Sequence, residues 1–361
     1  MLAFITETET VWERLEKTTK PLVLYGMGNG ADKILDWCEE HGVRVAAIFA
    51  SDEFVRGQSF RGFTVVKYAD VVAKYPDFLL VIAFASESQV VLRHFHLLAQ
   101  QHETVAPHLP LFAGDPSVSW QWLAEHEQDL QEVYEHLADA QSQRVFAALL
   151  NYKLSGKITY LEACETQRLA DCQELYTFGE EETYLDLGAY DGDTLEEFLG
   201  FVQGRYRQIV AVEPDGKNFK KLIRFVEEAG LPAVELVPQG IWQQAGYLQF
   251  NNTGGRQAAL GVEGKTSIAV TSVDELLGTR RASYIKMDVE GAEYQALCGG
   301  ADQLRSAGPK LFVAAYHRDD DLWQLPQLIW QLRPDYKIYL RKHPYIPAWE
   351  INLLCVCPSS K

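Results

Sequence analysis

From Tyr184 to Thr194 the chain reads Tyr-Leu-Asp-Leu-Gly-Ala-Tyr-Asp-Gly-Asp-Thr, an apolar strand that turns on a glycine and enters a polar helix start. The pattern is the opening unit of a doubly wound α/β sheet, whose ligands sit outside the carboxyl ends of the strands. Gly188 permits close backbone approach, and Asp191, Asp193 and Thr194 are placed to cap a helix from Leu195 onward. The charge of the turn narrows its ligand. Asp186, Asp191 and Asp193 would repel a pyrophosphate and favour a cationic or hydroxyl-rich molecule.

Two further segments repeat the pattern. Gln208 to Val212 is an apolar run ending in Glu213-Pro214, where the second strand of such a sheet delivers an acid to a ribose diol. Tyr284-Ile-Lys-Met-Asp288-Val-Glu290-Gly-Ala-Glu293 is another strand ending in acids and a glycine, with a helix expected near Ala292. Asp288 and Glu290 would then border the same crevice as the first turn. Together the three segments suit S-adenosylmethionine, a sulfonium cation carrying an ammonium and a ribose. One carboxylate can accept a proton from an attacking hydroxyl, or two, Asp288 and Glu290, can hold a divalent metal that acidifies it. Sequence leaves both open, as it leaves open a plain charged turn for Glu290 and Glu293.

The segments Asp186 to Thr194, Val212-Glu-Pro-Asp215 and Ile285 to Glu293 resemble the three signature segments of the FkbM family of S-adenosylmethionine-dependent methyltransferases. The similarity runs from about Glu174 to Val356. It implies a class I methyltransferase fold and O-methylation of a sugar or polyketide hydroxyl. By that resemblance Asp186, Gly188, Ala189 and Asp191 would surround the methionine end of the cofactor, Glu213 the ribose, and Gln239, Gly240 and Ile241 the adenine. Asp288 would sit at the methyl-transfer centre.

A later strand, Lys310 to Tyr316, places His317 at a carboxyl strand end. A neutral imidazole there is a second candidate base, or a hydrogen-bonded structural histidine. Distant family members have an acid two positions before this histidine, where this chain has Ala315, which takes one ligand from any metal site. Arg341 and His343 alternate on one strand face and read either as an anion site for the substrate or as a solvated sheet edge. Asn251 to Arg256 and Gly261 to Lys265 read as polar loops around a hairpin insertion, suited to a hydrophilic acceptor.

The N-terminal third has its own strand and turn. Pro21 to Tyr25 leads into Gly26-Met-Gly28-Asn29-Gly-Ala31, a helix is expected from Asp32, and strands follow at Val43 to Phe49 and Phe78 to Phe84. This unit, over Lys20 to Ser86, resembles nucleotide-sugar-binding domains that precede some bacterial sugar acyltransferases and are fused to some FkbM-type enzymes. The resemblance implies a phosphate at Gly26, Gly28 and Asn29 with Asp52 near a ribose, beside the alternative of a purely structural domain. Leu109 to Pro116 reads as a linker, and Val118 to Leu154 carries apolar residues at helical spacing. The expected division is a Rossmann-like α/β domain at 1–115, a helical linker at 116–160 and a class I methyltransferase domain, a doubly wound Rossmann-like sheet, at 161–361.

With 361 residues and 47% hydrophobic content the chain can bury two cores. A net charge of −17 with no lysine and arginine cluster argues against nucleic-acid backbone binding. The Asn/Asp-Pro-Pro-aromatic motif of amino-group methylation is absent. The opening residues are too briefly apolar for a signal peptide, no run reaches membrane-spanning length, and the 6 cysteines include no C-x-x-C pair, so reduced thiols and a cytoplasmic location are expected. The expectation is an S-adenosylmethionine-dependent O-methyltransferase acting on a hydroxyl of a sugar or glycan precursor, with a divalent metal left open. The alternatives are a non-catalytic nucleotide-sugar-binding sensor, or an NAD-dependent oxidoreductase using the N-terminal turn.

Overall fold

The computed structural model describes residues 2–112, 114–251, 259–261 and 266–358. The first unit is built from β1 (Leu22–Tyr25), β2 (Val45–Phe49), β3 (Ser59–Phe60), β4 (Phe63–Val66), β5 (Leu79–Ile82) and β6 (Glu103–Val105). They form a six-stranded sheet in the order β3-β4-β2-β1-β5-β6, parallel except for the β3–β4 hairpin. β1 and β5 are buried along their whole length, as expected of parallel strands covered on both faces by helices. The helix expected from Asp32 starts earlier, at Asn29–Glu40.

The second unit holds β7 (Thr183–Leu187), β8 (Gln208–Val212), β9 (Val234–Val237), β10 (Gly240–Ile241), β11 (Gly246–Asn251), β12 (Ala259–Gly261), β13 (Thr266–Thr271), β14 (Tyr284–Met287), β15 (Lys310–Ala314), β16 (Lys337–Lys342) and β17 (Ile351–Val356). Seven of them make one sheet in the order β16-β17-β15-β14-β7-β8-β9, in which β17 alone runs antiparallel to its neighbours. The strand order reverses between β7 and β14, so the switch-point crevice lies between the turns that follow them. A separate four-stranded sheet, β10-β13-β11-β12, carries the insertion. The polar loops at 252–256 and 262–265 lie outside the described residues.

Three helices bridge the units, Trp120–Glu125, Glu127–His136 and Ala140–Ser155. The last starts on an Asp139 cap that accepts from the Ser142 amide at 2.7 Å and stops at Gly156, whose φ is +68°. Its first turn docks on β16, where the Leu340 amide donates to Ser142 Oγ at 3.0 Å. Arg341 and His343 are buried here, at 3% exposure each. Arg341 reaches Asp139 at 2.6 Å and Asp171 at 3.3 Å, and His343 Nε2 lies 3.1 Å from Asp171. Neither the solvated edge nor the anion site expected for this pair is found, because two acids from distant helices already neutralise it. Thus β16 is an edge strand covered by the bridging helix.

The N-terminal sheet is joined to the second unit by polar bonds. Asp319, after β15, meets His108 Nε2 at 2.8 Å, the Lys153 ammonium and the Val118 amide at 3.0 Å, and all three acid and base side chains are buried. Burial alone would raise the Asp319 carboxyl, but His108 and Lys153 outweigh it and hold the group below its ordinary value. Ser86 and Ile346 exchange backbone hydrogen bonds at 2.8 and 3.0 Å, a single antiparallel bridge between the carboxyl ends of the two sheets. All six cysteines are free thiols. Among the described residues no helix is long and apolar enough to cross a membrane.

Candidate active site

The crevice between β7 and β14 opens into a cleft of about 590 Å³. One wall is Gly188, Tyr190, Asp193 and Thr194 with Val212 to Asp215, another is Gln239 to Ile241, and Asp288 to Glu290 with Tyr316 and His317 form the floor. Glu213 and Asp288, 75 residues apart in sequence by subtraction of their numbers, thus share one cavity.

Gly188 is fixed by both conformation and space. Its φ is +82°, and a Cβ there would stand 1.9 Å from the Asp288 carbonyl oxygen, so the two turns can close on each other only with a bare backbone. The Gly188 and Ala189 amides both donate to the Val212 carbonyl at 3.0 Å, which ties the first turn to the end of β8. The helix beyond runs Asp193–Phe201, and its cap position is Gly192 at φ +103° with no side-chain cap bond. Of the residues expected to cap it, Asp193 accepts only the adjacent Thr194 amide, at 2.8 Å. The Thr194 hydroxyl instead donates to Asp186 Oδ2 at 2.5 Å, and Asp191 pairs at the rim with Lys221 at 3.5 Å.

Asp186 and Ala189 are both fully buried. Lys286, which the sequence reading quotes in its motif without a role, explains how a buried carboxylate is tolerated. Its ammonium donates to the Gly188 carbonyl at 2.6 Å and lies 3.3 Å from Asp186 Oδ1. Burial disfavours the Lys286 charge, yet Asp186 and Asp288 outweigh burial and hold it above the ordinary lysine value. A charged residue in the middle of an otherwise apolar buried strand is the signal that could have marked it.

Glu213 is 6% exposed and accepts from the amides of Tyr190 at 3.0 Å and Asp215 at 2.8 Å. Burial pushes its carboxyl up to about 7 in spite of those bonds. Its carboxylate is therefore aimed and poised for a hydroxyl donor to complete its coordination.

At the floor, Tyr316 Oη lies 3.4 Å from both Asp288 oxygens. His317 Nε2 lies 3.5 Å from Asp288 and 3.4 Å from Glu290, while Nδ1 lies 3.0 Å from Glu293 Oε1 without hydrogen-bond alignment. Burial opposes an imidazolium here, but Glu293, Glu290 and Asp288 together overcome it and raise His317 well above its usual value. Burial and the nearby Glu293 push the Asp321 carboxyl above its ordinary value. Asp288, Glu293 and His317 offer atoms within 4.8 Å of one another, a set of a size that could surround a cation. Asp288, Glu290 and Glu293 converge on the ring, whose Nδ1 has no hydrogen-bond partner among the described residues. Glu290, expected beside Asp288 as a metal ligand, pairs with that same ring.

The N-terminal residues gather at the carboxyl ends of their strands. Gly26 follows β1 with φ +116°, and a Cβ there would meet the Phe84 ring at 2.6 Å, so packing against Phe84 already requires a glycine. Gly28 and Asn29 begin the next helix. Asp52 is exposed beyond β2, 3.7 Å from Lys67 Nζ.

Residues 186–343 match a family described as the methyltransferase FkbM domain. Along 98% of its length the chain is similar to the crystal structure of methyltransferase FkbM from Methylobacillus flagellatus KT, covering 94% of that protein with 20% identity and a TM-score of 0.75. At that identity the likeness establishes the shared fold, including the N-terminal unit. About half the chain, 52%, also resembles an rRNA methylase from Streptococcus thermophilus, over 93% of that chain with 12% identity and a TM-score of 0.36. A putative methyltransferase from Streptococcus mutans in complex with SAH covers 53% of this chain and 98% of its own at 10% identity and a TM-score of 0.36. Likenesses that distant carry no argument. A search of curated proteins gave no match.

Proposed function

Since residues 186–343 match the family described as the methyltransferase FkbM domain, we propose that the chain transfers the methyl group of S-adenosylmethionine to a hydroxyl of a sugar or glycan precursor. The observation that supports this reading most is the meeting of Glu213 and Asp288 in one cleft, on either side of the turn at Gly188. On this reading Glu213 accepts the ribose hydroxyls, Gln239, Gly240 and Ile241 flank the adenine, and Gly188 with Tyr190 lies along the methionine part. Asp186, Ala189 and Asp191 act from beneath or beside the turn: Asp186 is held by Lys286 and Thr194, and Asp191 by Lys221.

The chemistry is an in-line displacement. The acceptor oxygen attacks the sulfonium methyl, the carbon–sulfur bond breaks, and sulfur leaves as a neutral thioether. The protein aligns the partners and receives one proton. On this reading Asp288 is the proton acceptor, since it lines the cleft with His317 Nε2 3.5 Å away.

A nucleotide-linked sugar at Gly26, Gly28, Asn29 and Asp52 remains part of this proposal as a separate recruiting site. Calorimetry with S-adenosylhomocysteine, NAD and a nucleotide-sugar separates the donor reading from a dehydrogenase or a sensor. Binding of S-adenosylhomocysteine is expected and its absence defeats the proposal. Asp288→Asn is expected to abolish transfer while keeping that binding, and unimpaired turnover in the variant would remove Asp288 from its role.

A further inference from the structure

Two buried polar atoms at the floor of the cleft, His317 Nδ1 and Glu293 Oε2, lack a hydrogen-bond partner among the described residues. Their residues are 3% and 0% exposed. Leaving such groups buried and unpaired is costly, so both point to something that completes them. They arrive from different elements, since Glu293 opens the helix Glu293–Gly299 and His317 follows β15. Glu293 is aimed by its other oxygen: Oε1 accepts from the Val289 amide at 2.8 Å and lies 3.0 Å from His317 Nδ1. The turn before that helix is wound through two left-handed residues, Glu290 at φ +55° and Gly291 at +87°, and this winding returns Glu293 toward Asp288. Asp288, Glu293 and His317 each offer one ligand atom, all within 4.8 Å of one another.

The neighbouring cations are spent elsewhere. Among the described residues the ion pairs of Asp288, Glu290 and Glu293 all run to His317. Lys286 and Arg318, which flank the turn, pair with Asp186 at 3.3 Å and Asp115 at 2.7 Å. Three carboxylates thus share one imidazole. An ion bound at about 2.1 Å spreads its ligand atoms by up to roughly 4.2 Å, so small side-chain rotations close the three groups on one.

We propose that Asp288, Glu293 and His317, the last through Nδ1, form a site for a divalent first-row metal ion. Glu290 lies one step out: with Nδ1 on the ion, the Nε2–H faces Glu290 at 3.4 Å, the carboxylate brace that metal-bound histidines use. The ligand beside Asp288 is therefore Glu293 in place of Glu290. An imidazole among carboxylates selects Mn²⁺ or Zn²⁺ over Mg²⁺, which prefers oxygen alone. The ion enters from the cleft at Asp288, whose side chain is 33% exposed. The site stands apart from the methyl-transfer reading; under that reading the ion meets the acceptor hydroxyl beside Asp288 and lowers its pKa.

The test starts from the full-length chain stripped with EDTA and titrated by calorimetry with Mn²⁺, Zn²⁺ and Mg²⁺. One Mn²⁺ or Zn²⁺ per chain is expected, with Mg²⁺ roughly tenfold weaker or more. Glu293→Gln, His317→Gln and Asp288→Asn are each expected to weaken Mn²⁺ by roughly tenfold or more, and Glu290→Gln by less than any of them. Mn²⁺ is expected to raise the melting temperature of the unaltered protein and not that of Glu293→Gln. Circular dichroism checks the fold of each variant, and should the buried Glu293→Gln fail to fold, the part-exposed Asp288→Asn carries the same test. No uptake of Mn²⁺ or Zn²⁺, a preference for Mg²⁺, uptake indifferent to the three ligand substitutions, or a greater loss in Glu290→Gln than in Glu293→Gln overturns the proposal. S-adenosylhomocysteine calorimetry on the stripped protein keeps the two readings apart: its binding without metal uptake defeats only the ion site, and metal uptake without its binding defeats only the donor reading.

Discussion

At the scale of single residues, the cleft is a set of charges whose neighbours decide what each can do. Glu213 illustrates the sign of such an effect. Burial raises it from the ordinary glutamate value of 4.5 to about 7, so the native state holds this proton more tightly than the unfolded chain. The stabilisation is full below about 4.5 and is lost as pH rises through about 7, an effect of roughly 3 kcal/mol for a shift of that size. Urea melts between pH 4.5 and 8 are expected to show this decline, and Glu213→Gln to flatten it while weakening S-adenosylhomocysteine binding at least tenfold. Gly188 fails for a different reason. Gly188→Ala would place a methyl 1.9 Å from the Asp288 carbonyl oxygen at a positive φ. A loss of about 3 kcal/mol or more in denaturant melts, together with lost S-adenosylhomocysteine binding, is expected.

At the scale of elements, what sequence revealed and what it hid divide by distance along the chain. The strand ends at Glu213, Asp288 and His317 were readable because a buried parallel strand, its turn and the next helix are contiguous, so the residue types that make the turn also mark the ligand side. Lys286 went unassigned because its partner, Asp186, sits on the neighbouring strand, 100 positions away by subtraction of their numbers. The expected cap of the helix Asp193–Phe201 is not made because Thr194 is drawn to Asp186, a competition that no local pattern exposes. Arg341 and His343 were misread for the same reason, since Asp139 and Asp171 reach them from helices far upstream. Arg341→Leu is therefore expected to lower stability by about 3 kcal/mol, by stranding those two acids, with S-adenosylhomocysteine affinity little changed. A loss of cofactor binding with unchanged stability would contradict the docking role assigned to β16.

For the molecule as a whole, the two sheets are held by bonds that neither could make alone. Asp319 is satisfied by His108 from the end of the N-terminal unit and Lys153 from the bridging helices, so parting the units would leave buried charges without partners. Scanning calorimetry is expected to show one cooperative transition for the full chain, and Asp319→Ala to lower its midpoint or split it in two; separate transitions in the unaltered protein would contradict the coupling. The seam at Ser86 and Ile346 has a different bearing, because both bonds there are donated and accepted by main-chain groups alone. Such a junction is blind to side-chain identity. Ser86 and Ile346 can therefore be substituted without breaking this bridge, whereas the rest of the join stays tied to the side chains of Asp319, His108 and Lys153.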